Sequence, residues 1–391
     1  MRRVRAPDGT PRGRSGALAA SVLWHKQCQK TKGGTDIMKI STFKTVGIAL
    51  VVALTGSAAL AETQVRLSYN QPETSAAWQQ VIAPYADRLE SLSGGKLKVQ
   101  RYPGEVLHPV ADGFRAAATG VTDVTSAWPL YQASSFSLFH GLGLPGAMPT
   151  SDIATVRVMD ELYAKYLRGE YENLRVKLAF DASTPSYDIL ASKPINSLED
   201  LKGLSIRAGG ATATEIVERL GAIPVTMSIT DAYTAFQQGV VDGIILSSAD
   251  MVAYRMIEVG KHYYQIGVAR IAIPHAISTQ FYDGLSDDLK AVFAEAGNEA
   301  GYDYARMYMG LTQAALTKMG EAGVTIVRPS EEDKQKISEL LAPMWDDFVA
   351  KNGGEGSAGA QFVADMRALR DKYEGMSDEE ILALPPVEGL R

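Results

Sequence analysis

Residues 201–249 read LKGLSIRAGGATATEIVERLGAIPVTMSITDAYTAFQQGVVDGIILSSA, and this stretch decides the fold. Extended runs alternate with segments of helical apolar spacing, in the order 205–207, 212–220, 223–225, 231–238 and 243–246. Short apolar strands that alternate with helices predict an α/β fold whose strands pair in parallel through crossover connections. In sheets of this kind a ligand binds beyond the carboxyl ends of the strands, so we expect the functional site there.

Arg207 stands at one such strand end, directly before the glycine pair Gly209-Gly210 and the start of a helix. A guanidinium held there presents two parallel donors to a carboxylate, and the amides of the following helix favour the same negative charge. We therefore predict that Arg207 binds the carboxylate of an organic acid. The alternative is an ordinary surface salt bridge, which is the usual role of an arginine.

Three blocks in this stretch carry a family resemblance: LKG-x-x-IR, LGA-x-PV-x-M and Y-x-A-x-Q-x-G-VVDG. In this order and spacing they resemble the signature region of the solute-binding proteins of TRAP transporters, the C4-dicarboxylate-binding or DctP-type group. Weaker similarity runs from about residue 65 to about residue 301. The resemblance implies a two-lobed periplasmic-binding-protein fold, with a ligand cleft between the lobes and a long helix spanning both. It also implies that the arginine of the IR block, Arg207 here, pairs with the ligand carboxylate.

The departures from the family pattern predict the ligand class. No second arginine lies about twenty residues before Arg207, in the segment around Tyr187. Leu246 occupies a position after VDG that is commonly an asparagine or an acid, and Trp128 and Tyr131 stand where sialic-acid-type members carry charged residues. An apolar wall penalises a polar ligand, so we predict an aromatic or branched aliphatic monocarboxylate. The alternative is that these side chains belong to the ordinary core.

Tyr187 and five further residues complete the predicted ligand site. Asn70 and Ser247 fall at strand ends, where they are placed either to hydrogen-bond a ligand or to form turns. Gly210 belongs to the turn after Arg207, and Ile229 and Tyr233 belong to the next helical segment, where Tyr233 has a core role as the alternative.

The organisation of the chain follows from the same patterns. We predict a first lobe at 62–185, completed by roughly 275–300, and a second lobe at 186–274, completed by C-terminal segments. The two crossings between them are predicted near Thr184-Pro185 and over 263–278. Apolar residues at helical spacing after the capping Ser286 predict one long helix over 286–320. Residues 321–391 are predicted to form a strand and terminal helices, at 331–351 and 361–373.

The N-terminal region predicts export. Residues 38–61 have a basic start, an apolar run too short to span a membrane and an Ala59-Leu60-Ala61 cleavage site, as in a secretory signal peptide. We interpret the Arg- and Gly-rich residues 1–37 as a mis-annotated leader ahead of the true start at Met38; the alternative is a basic nucleic-acid-binding arm. Cleavage would leave a periplasmic protein that does not insert into the membrane.

Composition excludes several function classes. After cleavage the chain would carry 43 acidic and 29 basic residues, a surplus of negative charge that argues against nucleic acid as a partner. The one cysteine, Cys28, lies ahead of the predicted cleavage site, and the four histidines that follow it have no metal-ligand spacing. We therefore predict no cofactor, no metal site and no enzymatic activity. The resemblance leaves one alternative open, because a few members of the family use a cation to bridge the ligand.

The predicted partners are a small organic carboxylate and the membrane subunits of a TRAP permease. A binding protein of an ABC importer or of a sensor kinase stays open as an alternative. So does a secreted α/β enzyme acting on small acids, although the sequence holds no G-x-S-x-G, P-loop or CxxC motif.

Overall fold

The computed structural model describes residues 62–390, which fold into two β-sheets that are covered by helices. The strands are β1 (Thr63–Ser68), β2 (Leu97–Tyr102), β3 (Val124–Ser126), β4 (Val176–Phe180), β5 (Tyr187–Ala191), β6 (Ser205–Ala208), β7 (Ile223–Thr226), β8 (Gly243–Ser247), β9 (His262–Tyr264), β10 (His275–Ser278) and β11 (Thr325–Val327). The helices are α1 (Ala83–Leu92), α2 (Gly113–Ala118), α3 (Asp152–Leu162), α4 (Arg168–Asn173), α5 (Ala211–Arg219), α6 (Ile229–Gln237), α7 (Ser248–Ala253), α8 (Thr279–Asp283), α9 (Asp287–Glu321), α10 (Glu331–Leu341), α11 (Pro343–Lys351), α12 (Ala358–Glu374) and α13 (Asp378–Leu382).

The first lobe is built on a five-stranded sheet of order β2-β1-β3-β10-β4. Strand β1 pairs in parallel with β2 and β3, whereas β10, which returns from later in the chain, is antiparallel to both of its neighbours. The second lobe is built on a six-stranded sheet of order β11-β9-β5-β8-β6-β7. Strand β6 is parallel to both β7 and β8, as the alternation in residues 201–249 predicts.

Two antiparallel segments join the lobes. The backbone amide of Thr184 donates to the carbonyl of Ile271 at 2.9 Å, and the amide of Ile273 donates to the carbonyl of Ala182 at 2.7 Å. These hydrogen bonds lie at the two predicted crossings. The predicted residue boundaries of the lobes stay a prediction.

Helix α9 connects the lobes along its length. It packs against α1, α3 and β4 of the first lobe and against α7 and β11 of the second. It begins after Ser286 and continues to Glu321, so the predicted long lobe-spanning helix is confirmed. Glycines at 297 and 301 do not interrupt it, and both are buried. A Cβ atom at Gly301 would lie 3.0 Å from the carbonyl oxygen of Asp181, so the helix packs closely on the first lobe there.

One predicted element differs from the structure. The helix predicted over 331–351 is two helices, since Pro343 cannot continue the hydrogen-bond ladder and begins α11 instead. In the segment predicted as the second crossing, 263–278, strands β9 and β10 lie at the two ends. Among the helices at 62–390, none is both long enough and apolar enough to cross a membrane. The predicted leader at 1–37 and signal peptide at 38–61 lie outside the described residues.

Candidate ligand-binding cleft

A cavity lies between the two lobes, at the carboxyl ends of several strands. Its empty volume, counted together with the adjoining space that is open to solvent, is about 460 Å³. Its walls come from both lobes, from the crossing segments and from α9. The lining residues are Tyr69, Gln71, Trp128, Leu130, Tyr131, Thr184, Tyr187, Arg207, Gly209, Ile229, Leu246, Asp250, Tyr254, Ile273 and Tyr308. The position agrees with the general rule for ligand sites in open α/β sheets.

Arg207 forms the basic part of the cavity wall. Its side chain lies in β6, is 2% exposed, and donates from Nε and Nη2 to the carbonyl oxygen of Met227 at 3.2 and 2.9 Å. Within residues 62–390 the Nη1 group has no hydrogen-bond partner and the guanidinium has no carboxylate partner. A buried guanidinium that is held on one edge and open on the other can accept a carboxylate from the cavity.

The two glycines after β6 serve different purposes. A Cβ atom at Gly209 would lie 3.0 Å from Nη2 and 3.2 Å from Nη1 of Arg207, so this glycine leaves room for the guanidinium. Gly210 has a φ of +85° and precedes α5. A Cβ there would lie 2.8 Å from Cβ of Leu130, so Gly210 permits close approach of the opposite lobe.

Aromatic side chains form much of the remaining wall. The rings of Trp128 and Tyr131 stack with centroids 6.0 Å apart and an interplanar angle of 10°. Nε1 of Trp128 is buried and has no hydrogen-bond partner in the described part of the chain. Burial raises the pKa of Tyr187, and likewise the pKa of Tyr308, so these hydroxyls are neutral at ordinary pH.

Asp250 is the acidic group of the cavity. It lies in the first turn of α7 and is 5% exposed. Its Oδ2 accepts a hydrogen bond from Oγ of Ser247 at 2.5 Å, and its Oδ1 accepts one from the hydroxyl of Tyr308 at 3.1 Å. Burial raises the pKa of this carboxyl to about 6, and the two hydrogen bonds oppose that rise.

The two walls of the cavity contact each other directly. Nε2 of Gln71, which follows β1, donates to the hydroxyl of Tyr254 at the end of α7 at 3.0 Å. The hydroxyl of Tyr131 accepts a hydrogen bond from the first amide of α6, that of Ile229, at 3.4 Å. These contacts place the two lobes in a closed arrangement around Arg207.

The structure brings six of the ten predicted site residues to the cavity and leaves four outside its wall. The six are Arg207, Trp128, Tyr131, Tyr187, Ile229 and Leu246. Of the others, Ser247 caps α7, and Oδ1 of Asn70 accepts a hydrogen bond from Oγ of Ser126. Gly210 contacts Leu130, as described above. Tyr233 donates to Oε2 of Glu258 at 2.9 Å on the outside of α6.

Several lining residues have no distinct signal in the sequence. Asp250 follows Ser247 by three positions, a spacing that predicts a helix cap rather than a ligand contact. Tyr308 lies inside the apolar pattern of the long helix and therefore reads as core. Gln71 and Tyr254 lie at the ends of short elements, where nothing in the local pattern distinguishes them. Among the described residues no group of acids, histidines and cysteines is arranged to hold a metal ion.

Comparison with known families gives one family match. The sequence profile of the family described as "Bacterial extracellular solute-binding protein, family 7" (DctP) matches residues 67–352. A characterised relative is the C4-dicarboxylate-binding periplasmic protein DctP of Rhodobacter capsulatus. It is 26% identical over 284 residues, which cover 70% of this chain and 83% of the relative.

Solved structures with the same fold include two receptors bound to aromatic acids. A TRAP solute-binding protein from Rhodoferax ferrireducens, in complex with copurified benzoate, superposes with a TM-score of 0.75 at 21% identity, over 82% of this chain and 100% of that one. A marine metagenome TRAP solute-binding protein specific for aromatic acid ligands, in complex with 3-hydroxybenzoate, superposes with a TM-score of 0.73 at 22% identity. The superposition covers 80% of this chain and 99% of that one. The predicted two-lobed α/β fold is thereby confirmed.

Proposed function

Because the chain belongs to family 7 of the bacterial extracellular solute-binding proteins, whose TRAP members are periplasmic receptors, we propose a specific ligand class for it. The protein captures an organic monocarboxylate with an aromatic or branched aliphatic body, and Arg207 binds the carboxylate. It then delivers the acid to the membrane subunits of a TRAP permease.

The observation that carries the proposal is the state of Arg207. Its guanidinium is buried in the cavity wall, its Nε edge is fixed by the carbonyl of Met227, and its Nη1 group has no partner within residues 62–390. A buried charge needs a counter-charge or a full set of hydrogen bonds, because burial removes its hydration. A ligand carboxylate supplies both.

The body of the ligand is inferred from the rest of the wall. Trp128, Tyr131 and Tyr187 surround the cavity with ring surface, and Leu246 adds an aliphatic contact. Burial of such surface against an apolar ligand contributes about 25 cal/mol per Å². Benzoate and 3-hydroxybenzoate in the two related structures are precedents for this ligand class within the fold.

The test is a binding titration of the protein from Glu62 onward with phenylacetate, 4-methylvalerate and succinate. We expect the two monocarboxylates to bind and to raise the melting temperature by several degrees at a hundred times Kd, which corresponds to about 2.7 kcal/mol. Arg207→Ala should lose at least about 2 kcal/mol of binding free energy, and Arg207→Lys should not restore it, since lysine lacks the planar pair of donors.

A matched control is Arg115→Ala, because the side chain of this arginine is 70% exposed in α2 and, among residues 62–390, forms an ion pair only with Asp112. It should bind the acids like the wild type. Unchanged affinity in Arg207→Ala would overturn the proposed role of this residue. Binding of succinate alone would keep the family function and overturn the ligand class.

Delivery to a TRAP permease needs a separate measurement. Uptake of the bound acid into vesicles that contain the four-helix and twelve-helix membrane subunits should depend on an ion gradient and not on ATP. Uptake that requires ATP would favour the alternative of an ABC importer. Chemical turnover of the bound acid would favour the alternative of a secreted enzyme.

A further inference from the structure

The side chain of Asp250 is placed in the cavity with capacity to accept more hydrogen bonds than the protein supplies. Ser247 and Tyr308 each donate one hydrogen bond to it, to different carboxylate oxygens. A carboxylate has about four acceptor positions, so about two are left for a ligand. Across residues 62–390 no basic side chain pairs with Asp250, although it is 5% exposed.

Asp250 and Arg207 carry opposite charges and therefore favour different groups on the same ligand. Arg207 lies in β6, whose parallel neighbour is β8, and Asp250 follows the carboxyl end of β8 by three residues. Both groups therefore reach the cavity from neighbouring positions in the fold, Arg207 from β6 and Asp250 from the helix that follows β8. A ligand that satisfies Arg207 with its carboxylate meets Asp250 with another part. A hydrocarbon there leaves the acidic oxygens without a donor, and a second carboxylate there adds like-charge repulsion.

We propose that Asp250 selects a monocarboxylate that also carries a hydrogen-bond donor, a hydroxyl or an amino group, and that it rejects dicarboxylates. This inference rests on the proposed function, because it assumes that Arg207 holds the ligand carboxylate. The donor of the ligand points to the open positions on the Asp250 carboxylate. A neutral hydroxyl and a charged ammonium can both donate a hydrogen bond to this carboxylate, and the experiment distinguishes between them.

The competing explanation is that Asp250 only stabilises the start of α7. The chain offers a matched control for this role in Asp333, whose amide is likewise bonded to a serine three residues earlier and whose carboxylate accepts a hydrogen bond from a tyrosine. Asp333 is 9% exposed and lies away from the cavity. A change at Asp333 therefore reproduces the structural effect without the ligand contact.

The experiment measures Kd for matched acids by calorimetry, with protein purified from the full-length coding sequence. The pairs are mandelate with phenylacetate, 3-hydroxybenzoate with benzoate, and 2-hydroxy-4-methylvalerate or leucine with 4-methylvalerate; succinate is added as the dicarboxylate. In the wild type we expect at least one donor-bearing acid to bind about tenfold or more tightly than its parent, as for a hydrogen bond to a charged group. The ratio of the two Kd values within a pair is compared between variants, because a general distortion of the cavity affects both acids of a pair alike.

In Asp250→Ala this ratio should fall to within about twofold, and succinate should gain affinity. Asp250→Asn, which keeps the shape of the side chain, separates the two donors: a hydroxyl preference survives in part because the amide oxygen accepts, whereas an ammonium preference is lost. In Asp333→Asn the ratios should equal those of the wild type. Equal affinities within every pair in the wild type, or a preference that persists in Asp250→Ala, would overturn the inference while Arg207-dependent binding keeps the proposed function. Absence of Arg207-dependent binding of any acid would overturn both.

Discussion

At the residue scale, the position that constrains the candidate site most tightly is a glycine. Gly209 has no Cβ, and the guanidinium of Arg207 occupies the space that a Cβ would need. The sequence shows this glycine as half of a turn, which is a backbone role. The structure adds a steric role toward a neighbouring side chain, one that depends on where Arg207 points.

Gly209→Ala is therefore expected to displace the Arg207 guanidinium and to weaken binding of organic monocarboxylates by about tenfold or more, since a bidentate contact tolerates little misplacement. The measurement is Kd by calorimetry together with the melting temperature. Gly310→Ala is the matched control, because it lies in α9 with no atom within 4 Å of the added Cβ. It should leave Kd unchanged and stabilise the helix slightly. Equal Kd values in both variants would contradict the steric role of Gly209.

The sequence correctly predicted that the site lies at the carboxyl ends of the strands. It predicted less well which side chains at those ends face the cavity. Leu246 and Ser247 are consecutive in β8, and only Leu246 lines the cavity, because neighbouring residues in a strand point to opposite faces. The position of a residue at a strand end does not show which face of the sheet its side chain points to. Asp250 was missed because its spacing from Ser247 also fits a helix cap, and it serves as cap partner and cavity wall together.

At the element scale, the strand that follows the first crossing carries a buried acid with a specific role. Asp188 in β5 is 5% exposed, and its oxygens accept hydrogen bonds from the hydroxyl of Tyr263 and from the amide of Gly267 at 2.8 Å. It therefore ties β5 to β9 and to the start of the second crossing. Burial raises its pKa from 3.8 to about 6, and the hydrogen bonds oppose the rise.

This raised pKa predicts a pH dependence of stability. The folded protein holds a proton on Asp188 between about pH 4 and pH 6 that the unfolded chain releases, so this contribution to the free energy of unfolding is complete below pH 4 and is lost as pH rises through 6. The free energy of unfolding of Asp188→Asn, relative to that of the wild type, should therefore increase by about 2–3 kcal/mol as the pH is raised from 4 to 7. Urea unfolding at several pH values measures the difference. Asp371→Asn, at a carboxylate that is 67% exposed, controls for a surface charge change. A difference that stays constant with pH would contradict the prediction.

Elements with strong periodicity were predicted with small errors. The strands and helices of residues 201–249 and the long α9 agree with the structure to within a few residues. The failure is at Pro343, where two amphipathic helices in succession resemble one. There the apolar pattern continues across a break that the proline determines.

At the scale of the whole molecule, direct contacts between the lobes hold the cavity closed. Gln71 and Tyr254 form one such contact, and they also line a groove of about 1080 Å³ on the other side of the wall, next to α9. Asp250 and Tyr308 also line both spaces, so this hydrogen bond is one part of the wall between the ligand cavity and the groove.

Gln71→Ala should increase the dissociation rate of a bound acid about fivefold or more, because loss of a hydrogen bond of about 1 kcal/mol favours the open arrangement. Stopped-flow competition measures the rate. Gln100→Ala is the matched control, since Gln100 donates to Gln64 at 3.3 Å on an exposed face of β1 and β2. A dissociation rate that is equal in the two variants would show that opening does not use the contact between Gln71 and Tyr254.

Helix α9 has the length and the contacts that would convert a small rearrangement at the ligand site into a larger displacement at the surface. Its 35 residues extend over about 52 Å, and Tyr304 and Tyr308 lie near its middle. There Tyr304 is hydrogen-bonded to Tyr69 of the first lobe and Tyr308 to Asp250 of the second. A bend of about ten degrees at this midpoint would move one end of the helix sideways by about 4–5 Å relative to the axis of the other half, while the tyrosines themselves barely shift. The helix is in this sense a lever whose pivot lies beside the ligand, so a protein that contacts only its two ends could still distinguish a filled cleft from an empty one.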